Sequence, residues 1–358
     1  MRIAVDVTPL SLPRTGIGNF LRGMLAGLEA ALGDDGELVA VAATGLGSSR
    51  RVAASLDGIP LERRIVALPI GRAWRAAWNW ASRPAVERLT GPVDVFHYSD
   101  WLRPSQRGGV RASTVYDLVP LRFPELVHPP TARMHRAAYR RLADCDVVFA
   151  CSRFTADDVA GRLGIARDRI RVAYPGVDPR FRPDGPHADL GSPYVLTVST
   201  LEPRKNLDTL LRGFAQLRKD KPELVLAVAG GTAPGTSPPA ASEGVRLLGY
   251  VPDDELAGLY RGASAFVSPS RFEGFGIPVV EALASGVAVV ASAHPSLDEA
   301  AGEVALRADP DSADALAEAI ANALERGSER REAGLAHAAR FTWRACGEAV
   351  LAGYEAAL

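Results

Sequence analysis

The stretch SRFEGFGIPVVEALASG, residues 270–286, places Glu273 and Glu281 eight residues apart around Gly274, Gly276 and Pro278. The run before it, SAFVS (264–268), reads as a strand, so Glu273 falls in the following loop. Pro278 suits the first turn of a helix, which the apolar spacing predicts over about 278–285. Two glycines leave the loop backbone bare, and a helix start is a ready site for an anion. Glu281 either complements the helix dipole, worth ~0.3–1 kcal/mol, or accepts hydrogen bonds from hydroxyls. Glu273 is either solvated or a second hydroxyl acceptor, and both readings stay open at this point.

Outward from that stretch, short β-branched runs alternate with helical patterns along the whole chain. Strands are predicted at 3–7, 39–44, 93–98, 113–117 and 147–151, with helices at about 17–32, 72–89, 131–143 and 153–163. YPGVDPRFRPDGP (174–186) is rich in Pro and Gly and reads as a linker. The pattern then restarts, with strands at 194–199, 224–230, 245–249, 264–268 and 287–292 and helices at about 206–219, 253–262, 278–285 and 311–325. GGTAPGTSPPAASEG (230–244) reads as an exposed loop. Apolar strands separated by helices imply parallel sheets covered on both faces. The fold class is therefore α/β, two Rossmann-like halves, with ligands expected at the carboxyl ends of the strands.

Size and composition agree. At 358 residues, with 47% hydrophobic and 23% charged residues, the chain is right for two globular domains. No apolar run approaches the ~20 residues that span a bilayer, and MRIAVDVTPL lacks the pattern of a signal peptide. Cys145, Cys151 and Cys346 show no C-x-x-C spacing, which fits a reduced cytoplasmic protein without a structural zinc site. The net charge of −1 conceals 26 Lys+Arg against 18 Asp+Glu in 1–183, and 15 against 24 in 184–358. A basic first half favours anionic surfaces or phosphorylated substrates, or reflects a composition bias, since all its basic residues are Arg.

Three more features sit at strand ends. Gly16 and Gly18 precede the first helix and would let backbone approach a ligand, although Leu21 stands where a dinucleotide fingerprint needs its third glycine. In TLEPRKN (200–206), Arg204 and Lys205 sit before a helix that Asn206 would cap, where positive charge makes sense if an anion comes between. Asp-x-Asp at Asp144–Asp146 and Asp309–Asp311 could suggest a metal-dependent transferase, but capping accounts for both better. Bare backbone, two cations, a helix start and two hydroxyl acceptors together describe a nucleotide-sugar site. His97 reads as a cleft residue or a satisfied structural histidine. Trp74, Trp78 and Ala81, with Arg72, Arg75, Arg83 and Arg88 around them, read as core or as an interfacial helix.

These motifs resemble retaining glycosyltransferases of family 4, with the two-Rossmann-domain GT-B fold. TGIGNF, CSRFTADDVAGRLGI, VAYPGVDPRFRP, TLEPRKN, EGFGIPVVE with its E-x7-E spacing and SAHPSLDEAAGEVALRADPD carry the resemblance over nearly the whole chain. It implies an acceptor-binding domain at 1–183, a nucleotide-sugar-binding domain at 184–340, the two facing across a cleft, and a segment at 341–358 that crosses back. It implies that Arg204 and Lys205 hold the donor diphosphate, that Glu273 and the backbone of Gly274, Phe275, Gly276 and Ile277 bind the sugar, and that Glu281 binds ribose. Val251 would lie by the base, and Gly16 and Gly18 would reach the diphosphate. The chain departs from the family at Tyr116-Asp117, where His-Asp is usual, and at Thr200, where arginine is usual and Arg204 would supply the charge. Tyrosine still donates a hydrogen bond but does not titrate near neutral pH.

The resemblance further implies a hexosyltransferase that retains anomeric configuration, uses a nucleoside-diphosphate sugar as co-substrate and needs no metal or other cofactor. The TLEPRKN form points toward GDP-mannose or a related donor in polysaccharide biosynthesis. The expected acceptor is a glycan, lipid-linked or small molecule, with cytoplasmic placement, peripheral contact with the anionic inner membrane face as a further option, and no nucleic-acid partner. The alternatives are a non-catalytic nucleotide- or glycan-binding protein, suggested by Tyr116, and a glycoside hydrolase using Glu273 and Glu281.

Overall fold

A computed structural model describes residues 1–12, 16–69, 71–81, 83–99, 102–127, 129–232 and 242–358. Contacts divide the chain into two units, one of Met1–Gly176 with Trp343–Leu358 and the other of Val177–Thr342.

The first unit is built on β1 (Arg2–Asp6), β2 (Glu37–Gly45), β3 (Glu62–Leu68), β4 (Val95–Tyr98), β5 (Val110–Val115), β6 (Val147–Ala150) and β7 (Ile170–Val172). Every pairing is parallel, in the order β3-β2-β1-β4-β5-β6-β7. The second unit carries β8 (Tyr194–Val198), β9 (Val225–Ala229), β10 (Val245–Gly249), β11 (Ala265–Ser268), β12 (Val289–Ser292) and β13 (Leu306–Ala308), also parallel, in the order β10-β9-β8-β11-β12-β13. In both sheets the order reverses beside the first strand, between β1 and β4 and between β8 and β11, which is where open α/β sheets bind ligands.

Cores follow from the alternation along the strands. Ala4, Val39, Val41 and Phe96 pack with Trp78, and Val115, Val148 and Ala150 pack with Tyr139 and Leu142. In the second unit Val195, Leu226, Val228 and Val267 pack with Leu210, Phe214, Leu316 and Ile320 of two helices.

The structure departs from the sequence reading in specific places. The helix predicted over 72–89 is two, Gly71–Ala81 and Glu87–Thr90, with Pro84 between them lacking the amide a continuous helix needs. Trp78 is buried in the core and donates its indole N–H to Pro84 O at 2.6 Å, and Arg75 is buried with a bond to Ala43 O at 3.0 Å. Those two face inward, whereas Trp80 is 87% exposed. The side chains of Arg72 and Trp74, and residues 233–241 of the predicted loop, lie outside the described residues. His97 is buried, with its ring nitrogens on Tyr354 Oη at 2.6 Å and Thr114 Oγ1 at 2.9 Å, and burial lowers its pKa to about 3. It is a satisfied structural histidine. All three cysteines are buried free thiols.

The helix Trp343–Glu355 lies in the first unit because glycines let it come close. A Cβ on Gly27, in the helix Gly16–Leu32, would sit 1.8 Å from Trp343 O, and one on Gly347 would sit 2.0 Å from Gly27 C. Phe20 meets the Trp343 ring edge-on at 5.9 Å. Gly27→Ala should therefore force the two backbones apart and lower the thermal midpoint, with a loss of ~1–3 kcal/mol from overpacking. Gly161→Ala, in the helix Arg153–Leu163 with nothing within 4 Å of its Cβ, should be neutral or stabilise by up to ~1 kcal/mol. Equal losses in the two variants, measured by thermal unfolding, would contradict this packing.

Candidate active site

In the second unit the loops after β8 and β11, the two strands flanking the point of reversal, meet around one carboxylate. Arg204 Nη1 donates to Glu273 Oε2 at 2.8 Å, and Lys205 Nζ donates to Glu273 Oε1 at 2.6 Å. Arg204 Nη1 also reaches Phe272 O at 2.7 Å, and Arg204 Nη2 donates to Glu202 Oε1 at 2.6 Å. Backbone adds a tie, Arg271 N to Arg204 O at 3.0 Å. The side chain of Glu273 is only 12% exposed, so it is not a solvated loop residue. Burial alone would raise its pKa, but the charges of Lys205 and then Arg204 outweigh burial and bring it down to about 2.

Sequence reasoning missed the second group of residues that fixes this loop. Ser296 Oγ accepts the Glu273 amide at 3.0 Å, and Ser296 N donates to His294 Nδ1 at 3.1 Å. No pattern in SAHPSLDEAAG announces that contact. Glu202 is equally silent, an acidic residue two places before a cation.

Asn206 does not cap the helix that follows it. Its backbone is left-handed (φ 58°), its side chain caps no amide, and its Nδ2 bonds Pro269 O at 3.0 Å and Pro310 O at 2.6 Å. It ties the basic loop to the neighbouring loops instead. Thr200 is exposed between β8 and this loop, and Val251 is half-buried after β10. Asp309 Oδ1 accepts the Asp311 amide, Asp311 pairs with Arg271, and Ser312 caps the helix Ala313–Arg326. Asp146 Oδ2 takes the Arg111 amide at 2.7 Å, so capping explains neither Asp-x-Asp.

The helix Ile277–Ala284 begins at Gly276, whose φ of 101° is left-handed and whose Cβ would sit 2.6 Å from Leu297 Cδ2. Only glycine fits both constraints. With Gly276 at the cap and Pro278 in the first turn, no side chain caps this helix. Gly274 and Phe275 are buried and Ile277 is half-buried. Glu281 falls in the second turn rather than the first, 8% exposed, with Tyr260 donating to Oε2 at 3.0 Å. That position removes the reading of Glu281 as a first-turn complement to the helix dipole.

The first unit collects its own candidates. Gly16 and Gly18 open the helix Gly16–Leu32, the first exposed and the second buried, while Thr15 of TGIGNF lies outside the described residues. Tyr116, just past β5, meets the Phe20 ring edge-on at 5.2 Å, which brings the loop after β5 against the start of that helix. Asp117 Oδ1 accepts the Val119 amide at 3.0 Å, and Tyr139 Oη donates to Asp117 O at 3.1 Å. Asp117 thus shapes its own loop. Among the described residues, no three His, Cys, Asp or Glu side chains gather into a metal-binding group.

Glu273 also sets a pH dependence. Its folded pKa lies below the ordinary 4.5, so its contribution is present above that value and is lost as pH falls from about 4.5 toward about 2. Each pH unit of that interval corresponds to ~1.4 kcal/mol of stabilisation. Glu273→Gln should be less stable than wild type at pH 7, with the gap narrowing over that window in thermal unfolding. A gap independent of pH would show that the ion pairs do not stabilise the loop.

The model for Glycosyl transferases group 1 matches residues 183–338, and that for Glycosyltransferase Family 4 matches residues 15–181. The O-antigen chain mannosyltransferase B of Escherichia coli is 31% identical over 265 residues, 68% of this chain and 69% of that protein. A D-inositol 3-phosphate glycosyltransferase of Acidothermus cellulolyticus is 30% identical, with 99% of this chain and 90% of that protein covered. Those of Segniliparus rotundus and Nocardia farcinica are matched over 54% of their length. Among solved structures, sucrose-phosphate synthase from Thermosynechococcus elongatus superposes with a TM-score of 0.74 at 20% identity over 99% and 98% of the two chains. WaaG, a glycosyltransferase involved in lipopolysaccharide biosynthesis, superposes with a TM-score of 0.70 at 16% identity over 98% of each. At such identities the superpositions speak for the fold, and the sequence matches speak for the family: the chain belongs to the glycosyltransferases of family 4, with the two parallel-sheet domains of the GT-B fold.

Proposed function

We propose that this protein transfers a hexose, mannose or a close relative, from a nucleoside-diphosphate sugar to a glycan, lipid-linked or small-molecule acceptor, without a metal and with retention of configuration. The observation that carries the reading is the pairing of both loop cations with Glu273 beside an uncapped helix start. A donor diphosphate entering there competes with Glu273 for Lys205 and Arg204. As Glu273 is released, its ionised oxygens become acceptors for the hydroxyls of the sugar. The departing nucleoside diphosphate gains charge in the transition state, and Lys205 and Arg204, transferred from Glu273 to the phosphates, stabilise that charge. Losing one such donor in other enzymes costs ~10²–10³ in rate.

The mannosyl lean draws support from the Escherichia coli O-antigen relative, and a role in polysaccharide assembly draws on the same relative. The anomeric outcome rests on family resemblance and is read from the product by NMR. A hydrolase with Glu273 as general acid is disfavoured, because a carboxyl with a pKa near 2 holds no proton to give at neutral pH. Tyr116 stands where the family usually has histidine, and in this reading it orients the donor sugar by hydrogen bonding rather than by titrating. No described helix is long and apolar enough to cross a membrane. A peripheral contact with an anionic cytoplasmic membrane face is supported by exposed Trp80 and by Arg133, Arg136 and Arg140, exposed on the helix Pro129–Arg140.

Thermal unfolding with GDP, UDP, dTDP and ADP in chelator tests the central claim. One nucleotide at a hundred times its dissociation constant should stabilise wild type by ~2.7 kcal/mol and Glu281→Ala much less. No shift with any of the four would overturn the nucleotide-sugar reading. Cosedimentation with vesicles should show binding to anionic but not zwitterionic lipid, weakened by salt because exposed charges are screened. Equal recovery with both lipids would remove the membrane contact and leave the transferase reading standing.

A further inference from the structure

A residue outside the E-x7-E element holds one oxygen of Glu281. Tyr260, in the helix Asp253–Gly262, is fully buried and donates its hydroxyl to Glu281 Oε2 at 3.0 Å. The Tyr260 ring is itself fixed, edge-on to Phe181 at 5.5 Å and tilted against Phe266 at 5.5 Å. Burial first, and then the charge of Glu281, push the phenol well above its ordinary value, so at any working pH it remains a donor. One carboxylate oxygen of Glu281 is therefore tied to a point that neither rotates nor ionises.

We infer that Tyr260 is a positioning residue: it presents Glu281 as an acceptor to the vicinal 2′- and 3′-hydroxyls of ribose, and so sets the preference of this site for ribonucleoside over deoxyribonucleoside diphosphates. The inference rests on the nucleotide-sugar reading above and adds the source of sugar discrimination in the nucleotide. A free glutamate would have to order its side chain when ribose arrives, at a cost in rotamer freedom. Tyr260 has it ordered beforehand, which raises affinity without a new contact to the ligand. A site built around hydroxyl contacts also rejects an analogue lacking them, because its buried acceptor is then left unpaired.

The test compares GDP with 2′,3′-dideoxy-GDP, and UDP with its dideoxy counterpart, by titration calorimetry on wild type, Tyr260→Phe, Glu281→Ala and the double variant. Wild type should favour the ribonucleotide. Tyr260→Phe should lose about tenfold of that preference through weaker ribonucleotide binding, with dideoxynucleotide affinity unchanged, and the donor KM should rise while kcat holds. In the Glu281→Ala background, adding Tyr260→Phe should change neither affinity, which separates action through Glu281 from a general loosening. The inference is overturned if Tyr260→Phe weakens both nucleotides equally, if it discriminates as wild type does, or if wild type binds ribo and dideoxy forms alike. Binding of none of these nucleotides by wild type is a different result, and it overturns the nucleotide reading on which the inference stands.

Discussion

A largely shielded carboxylate between two cations organises the second unit's loops. Glu273 sits where desolvation works against its charge, and it stays ionised because Lys205 and Arg204 hold its two oxygens. Each partner is in turn placed by something else. Arg204 is spanned by Glu202 and Phe272 O, and the Glu273 amide is taken by Ser296. Removing the carboxylate would leave two cations 14% exposed with their main countercharge gone. The arrangement is poised because the forces that keep it closed in the free protein are those an anionic ligand would exploit.

Sheet topology explains where the candidate residues sit. A parallel sheet must send every strand's end toward one edge, and loops gather there. In the second unit β8 and β11 are neighbours although β9 and β10 lie between them in sequence. Their loops meet because the order of strands reverses at that point. Chemistry at this site needs no long-range design beyond that topology, plus a glycine at 276 whose left-handed backbone lets the next helix start against Leu297.

Much of this was legible in the residues, and the exceptions have physical reasons. The buried strands announced themselves as apolar runs, such as 39–43 and Val225–Ala229, because both faces are covered. Three strands did not. ERRIVAL (62–68) is an edge strand with Arg63 and Arg64 exposed, and IRV (170–172) and LRA (306–308) are short edges. Such segments need little apolar surface, so composition does not reveal them. At the site, Glu273, Glu281, Arg204 and Lys205 stood out by spacing and charge. Tyr260 and Ser296 did not, since a tyrosine in a helix and a serine in a loop are ordinary until the fold brings each within 3.0 Å of a glutamate.

The first unit closes on a segment that follows the whole of the second, since it comprises Met1–Gly176 and Trp343–Leu358. The returning helix supplies the tyrosine that satisfies His97, the Trp343 ring that packs on Gly23 and the backbone that packs on Gly27. On the ribosome, therefore, the first half of the chain emerges with His97 still lacking Tyr354 and with the helix face at Gly23 and Gly27 uncovered. The second unit, continuous from Val177 to Thr342, can complete its core before that face is covered. The first unit is thus complete only when the last residues of the chain are available to it, whereas the second needs nothing from either end.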